Sequence, residues 1–94
     1  MSIEGVDVGR TCRVFTQIAT LSSAVSCPSP TGAMVMFQPE SQSIRWTMDG
    51  RTTPTASVGM LVTAGTTVCF TGDLTKVQFI EVAGGATLNV AVFE

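Results

Sequence analysis

Ser43-Ile44-Arg45-Trp46-Thr47-Met48-Asp49-Gly50 alternates polar and apolar side chains over six positions and then stops at a turn dipeptide. In an extended chain successive side chains point to opposite faces, so Ile44, Trp46 and Met48 share one face and Ser43, Arg45 and Thr47 the other. One face is therefore apolar and the segment reads as a half-buried strand. Downstream, β-type runs are separated by short turn signals: Ala64-Gly65, Thr71-Gly72-Asp73-Leu74 and Gly84-Gly85. This spacing predicts strands over 58–62, 66–70, 76–82 and 86–93, with residues 49–57 as one long exposed loop. The Ala83-Gly84-Gly85 stretch predicts a hairpin that pairs 76–82 with 86–93.

The N-terminal half follows the same grammar. Residues 13–20 alternate, with Phe15 opposite the Val14 and Ile18 side. A brief strand at 24–26 precedes Pro28, Pro30 and Gly32, which mark a loop. Residues 33–38 form a short apolar strand that Pro39 is expected to end. Val, Ile and Thr supply 30 of 94 residues (12, 4 and 14), which favours strands over helices. The fold expected is all-β: a small single-domain sandwich or barrel of about seven antiparallel strands over 11–94. A sheet of this size must fold on itself to cover its apolar face. Residues 1–10, polar and glycine-containing, read as a flexible arm. Trp46, Ile44, Phe70, Phe79, Leu88 and Val90 are the expected core.

Composition narrows function. Charged residues are 13% of the chain against 45% apolar, about half the charge usual for soluble domains. Part of the surface is therefore expected to be covered by another protein. Net charge is −2 and no basic run exists, which argues against nucleic acid as a partner. No apolar run approaches the ~18 residues of a membrane span, and no membrane partner is expected. Glu4 and Asp7 interrupt the N-terminus, which does not read as a signal peptide.

Chemistry is equally constrained. There is no histidine, so Cys–His and Ser–His–Asp arrangements are ruled out. The seven acids are scattered, and Asp49 and Asp73 sit beside glycines, where Asp serves local backbone hydrogen bonds. No phosphate-binding glycine motif appears. Cys12, Cys27 and Cys69 are odd in number and widely spaced, which points to reduced thiols rather than a zinc set. Cys12 and Cys27 are left as the one pair that oxidation would join. No cofactor, metal or catalytic residue is expected, and the chain does not read as an enzyme. Trp46 reads as core rather than as a sugar-stacking platform. Arg45 stands equally as an interface anchor or as a solvated side chain.

One resemblance adds to this reading. Ile44-Arg45-Trp46, Asp49-Gly50, Pro54-Thr55, Ala64-Gly65, Thr71-Gly72-Asp73-Leu74 and Leu88-Asn89-Val90, in this order, resemble a family of small structural proteins of tailed-bacteriophage virions. The likeness covers slightly more than the C-terminal half. It implies a component of a phage particle, made in the host bacterial cytoplasm and located in the virion. A head decoration (cement) protein that stabilises the shell is the favoured member. A neck, tail or fibre component is the alternative, as is a module that binds a ligand on the host surface. The implied partner is the major capsid protein or another virion protein, with self-association on the particle also open. Arg10, Arg13, Arg45, Arg51, Thr53 and Pro54 are the expected contacts.

Overall fold

The computed structural model describes residues 10–94, so the expected arm lies outside the described residues except for Arg10. Among the described residues eight strands follow in chain order. They are β1 (Cys12–Ile18), β2 (Val25–Ser26), β3 (Met34–Glu40), β4 (Ile44–Thr47), β5 (Met60–Val62), β6 (Val68–Phe70), β7 (Gln78–Glu81) and β8 (Thr87–Phe93). A 3-10 turn, Leu74–Lys76, precedes β7, and the Asp73 side chain caps it by accepting from the Thr75 amide.

The strands form two four-stranded antiparallel sheets ordered β1-β8-β3-β6 and β2-β7-β4-β5. Strand 1 pairs with 8, 2 with 7, 3 with 6 and 4 with 5. The first half of the chain thus pairs with the second as one long hairpin. That hairpin is then wound so that β8 also meets β3 and β7 meets β4. This is the strand order of a jelly roll. The expectation of a small antiparallel sandwich holds, with eight strands rather than about seven.

Two expectations need correction. Residues 76–82 and 86–93 do not form a hairpin: β7 and β8 belong to different sheets, and the Gly84-Gly85 segment carries the chain across the sandwich. The winding requires every connection except β4–β5 to change sheets. Pro39 does not end β3 either. Its carbonyl accepts from the Gly65 amide at 2.7 Å, on the β6 side of the strand. In an antiparallel strand the N–H and C=O of one residue point the same way. The missing proline N–H is therefore on the side away from β8, beyond the last β3–β6 pair at Phe37 and Val68, and no β8 hydrogen bond is lost.

The core lies between the sheets. Val35 and Phe37 of β3 and Leu88, Val90 and Val92 of β8 face Ile44 and Trp46 of β4, Val62 of β5 and Phe79 of β7. Phe37 meets Trp46 and Phe79 edge-on, each at 4.9 Å between ring centroids, and Trp46 meets Phe70 at 5.5 Å. Of the six expected core residues five are buried, and Phe70 is half-buried against the cluster. Leu21 and Leu74 also enter the core from connections, where no periodicity announces them.

Loops gather at two ends. Backbone bonds Glu81 to Leu21, Val82 to Ser43 and Gly65 to Pro39 tie the 19–24, 41–43, 63–67 and 82–86 connections together. At the other end, Cys27 bonds to Val77, Ala33 to Phe93 and Glu94 to Thr11. The 27–33, 48–59 and 71–77 connections meet there.

Trp46 is 6% exposed and bridges the sheets, so Trp46→Ala should cost about 3–5 kcal/mol in chemical denaturation. Native emission should be blue-shifted and resist acrylamide. Ready quenching in the folded protein would contradict this placement.

Candidate functional site

The β4–β5 connection, residues 48–59, is the only one that stays within its sheet, and its own side chains hold it in shape. Asp49 starts it. Its Oδ1 accepts from the amides of Arg51 at 3.1 Å and Thr52 at 2.9 Å, and its Oδ2 accepts from the Thr52 hydroxyl at 2.7 Å. These bonds, the Thr52 amide foremost, hold the Asp49 carboxyl well below its ordinary 3.8, at about 2. Thr47 is buried and donates its hydroxyl to the Thr52 carbonyl at 2.7 Å. Thr55 accepts from the Ser57 and Val58 amides, closing a second turn.

Arg45 supplies the clamp. Its Nε donates to the Ala56 carbonyl at 3.1 Å and its Nη1 to the Gly59 carbonyl at 2.9 Å. A planar guanidinium with fixed donors suits two carbonyls of one loop better than a mobile ammonium would. Gly59 makes the approach possible. It holds φ +125, and a Cβ there would lie 3.1 Å from the Arg45 Cβ and from the Trp46 carbonyl oxygen.

The clamped loop leads into edge strand β5, where apolar side chains are exposed on both faces. Val58, Met60 and Leu61 are 46%, 58% and 53% exposed. Leu61 lies opposite Arg45 on the outer face of the sheet, and Ile80 flanks Arg45 on the other side. Arg51 is exposed, and among the described residues its guanidinium has no protein partner. Thr53 is exposed beside it, but Pro54 is buried and anchors the loop instead of offering a contact. Val58, Met60 and Leu61 were not legible as a surface in the sequence, because a Val-Gly-Met-Leu-Val run reads as interior strand.

The other expected contacts lie elsewhere. Arg13, on β1, donates to the Thr31 hydroxyl at 2.6 Å. Arg10 donates to the Glu94 carbonyl at 3.2 Å. Both are at the end of the sandwich that carries the 48–59 loop, though on β1 or just before it. The structure thus uses Arg45, Arg10 and Arg13 to tie its own backbone and loops, and leaves Arg51 the most available of the four.

No group of three or more metal-ligating side chains occurs among the described residues. No disulfide joins the three cysteines; Cys12 is exposed and Cys27 buried. Burial pushes the Cys27 thiol up to about 11 and also raises Cys69, so both stay protonated at neutral pH and are poor nucleophiles. No family model matches the chain, and no curated protein or solved structure matches it.

Arg45→Ala should free the loop while sparing the sandwich. Losing two charge-assisted bonds costs about 1.5–3 kcal/mol locally, or roughly ten- to a hundredfold faster amide exchange at Thr55 and Val58. Unchanged exchange would show that the clamp does nothing.

Asp49 adds a pH signature. Its folded pKa is depressed, so its contribution to loop order is present above the ordinary 3.8 and lost as pH falls through about 2. Amide protection at Arg51 and Thr52 should vanish over that window, and Asp49→Ala should abolish the dependence. Protection that survives below the window, or a variant that retains the same pH dependence, would refute it.

Proposed function

We propose that this chain is a structural protein of a bacteriophage particle, a head decoration protein that binds the assembled shell and stabilises it. The observation that carries the reading is the clamped 48–59 loop, with the exposed Val58, Met60 and Leu61 at the β5 edge and the available Arg51. A rigid loop loses little entropy on docking. Exposed apolar side chains beside an arginine have the composition of an interface centre. The motif resemblance of the C-terminal half points to a virion, and the jelly-roll order occurs among viral capsid domains, which is an analogy of fold and not evidence of role. The low charge of the chain fits a protein whose surface is partly covered in use.

On this reading the chain works by area and number rather than by turnover, and it needs no cofactor. Each copy buries a small patch on the major capsid protein, and many copies together stiffen the shell. Arg51 pairs with a shell carboxylate, the exposed β5 edge is covered with Leu61 on its outer face and Met60 on the other, and Thr53 lies at the polar rim. The residues 1–10 arm is a second attachment element in the same proposal. The location is the virion, with synthesis in the host bacterial cytoplasm.

Purified protein should bind shells that lack it and raise their resistance to heat and osmotic shock. Leu61→Asp with Arg51→Ala should keep the fold by circular dichroism and reduce occupancy on shells roughly 30-fold or more at limiting protein. Full occupancy by the double variant would remove the loop and the β5 edge from the interface. Shells equally robust with and without the protein would end the decoration reading.

A further inference from the structure

We propose that the free edge of β1 pairs antiparallel with β1 of a second copy, on a two-fold axis at Phe15, making one continuous eight-stranded sheet. This inference stands apart from the decoration reading.

The four sheet edges are unequal. β2 has two residues, and β5 and β6 have three each, but β1 has seven. Very short edge strands protect against pairing, and a long one invites it. Among the described residues β1 has a sheet neighbour on one side only, β8.

Hydrogen-bond parity fixes which amides face the open side. The Pro39 carbonyl points to the β6 side, so Val35 and Phe37 do as well. Met36 and Gln38 then point to β8, and their partners Ala91 and Asn89 point back to β3. Val90 and Val92 are left to bond β1 through Thr16 and Val14. The N–H and C=O of Phe15 and Gln17 therefore project off the edge.

The side chains agree with this geometry. Phe15 stands at the centre of β1 and is 64% exposed. It begins a row that runs across the outer face of its sheet: Phe15, Ala91, Met36 and Cys69, one from each strand. A groove of about 350 Å³ lies between this row and the next, lined by Phe15, Ala91 and Met36 on one side and Asn89, Gln38 and Thr67 on the other. The next row is polar, where Gln17 donates to Asn89 at 2.8 Å and Gln38 to Thr67 at 3.1 Å. Among the described residues the apolar row stops at Phe15, on the edge strand.

A two-fold axis at Phe15 makes Phe15 and Phe15 of the second copy a directly opposed pair that exchanges both backbone hydrogen bonds, with Cα atoms about 5.5 Å apart. The two rings then lie side by side on one face, and the apolar row runs unbroken through both sheets. Gln17 falls opposite Arg13 of the second copy, so no like charges oppose one another. A second copy is the occupant because it presents the same seven-residue edge, with its central phenylalanine in matching register. The pairing reaches no further than the β-bulge at Arg13, which keeps the interface narrow and the association concentration-dependent.

The test uses the full chain with Cys12→Ser to remove the native exposed thiol. On mild oxidation Phe15→Cys should form a disulfide-linked dimer, because the paired Cα spacing lies in the disulfide range. Gln17→Cys alone should not, since the two copies of that position lie several residues apart along the strands. Gln17→Cys mixed with Arg13→Cys should cross-link. Sedimentation of the unmodified chain should show mass rising toward twice the monomer with concentration. Phe15→Ser, folded by circular dichroism, should weaken that rise roughly 30-fold or more. A chain monomeric at millimolar concentration, or Gln17→Cys cross-linking as readily as Phe15→Cys, would overturn the proposal.

Discussion

Phe37 stands at the junction of the two sheets, and the rest of the sandwich is organised around what surrounds it. It comes from a central strand of one sheet and meets Trp46 and Phe79 of the other at edge-on distances of 4.9 Å. Trp46 closes the cluster back onto Phe70, in the sheet that Phe37 belongs to. Each such contact adds about 0.5–1.5 kcal/mol to the area buried. Their larger effect is on register. Phe37 sits opposite Val90 and Val68, while Trp46 sits opposite Phe79 and Met60. Slipping any of these strands by one residue would turn its aromatic ring out to solvent.

That cluster also explains what sequence reasoning found and missed. Alternation is a local property, so the faces of residues 43–48 and 13–18 and the capping role of Asp73 were legible. The winding is a non-local property. Gly84-Gly85 carries a hairpin signal, but β7 is held by β4 and β2 while β8 is held between β1 and β3. Local turn chemistry permitted a hairpin there, and the burial of Phe79 and Val90 from opposite sheets overrode it. Pro39 misled for a related reason: a proline breaks a ladder only on the side to which its N–H would point. At the loop, the alternation placed Arg45 on the outer face but held no sign that two carbonyls of residues 56 and 59 would return to it. Pro54 looked exposed because it lies in a polar stretch, and its burial depends on how that stretch folds back.

The exposed apolar side chains are informative because the chain has so few charges with which to dilute them. Phe15 lies on an edge strand of one sheet, and Val58, Met60 and Leu61 on or beside an edge strand of the other. In the order of the sheets, β1 and β2 form one lateral side of the sandwich and β5 and β6 the opposite one. The two apolar surfaces therefore do not compete for space.

This separation has a mechanical consequence. If the β1 edge joins two copies, both clamped loops remain open to a third surface. A two-fold pair presents its loops in symmetric positions, and a partner that engages one loop raises the effective concentration at the other. A narrow strand-to-strand interface then suffices. Neither contact alone must supply high affinity, because docking of the loops holds two β1 edges near one another and edge pairing holds two loops on one support. The low charge of the surface and the short length of the other edges follow from the same economy, since a small β domain has room for few contact surfaces and must keep its remaining edges closed.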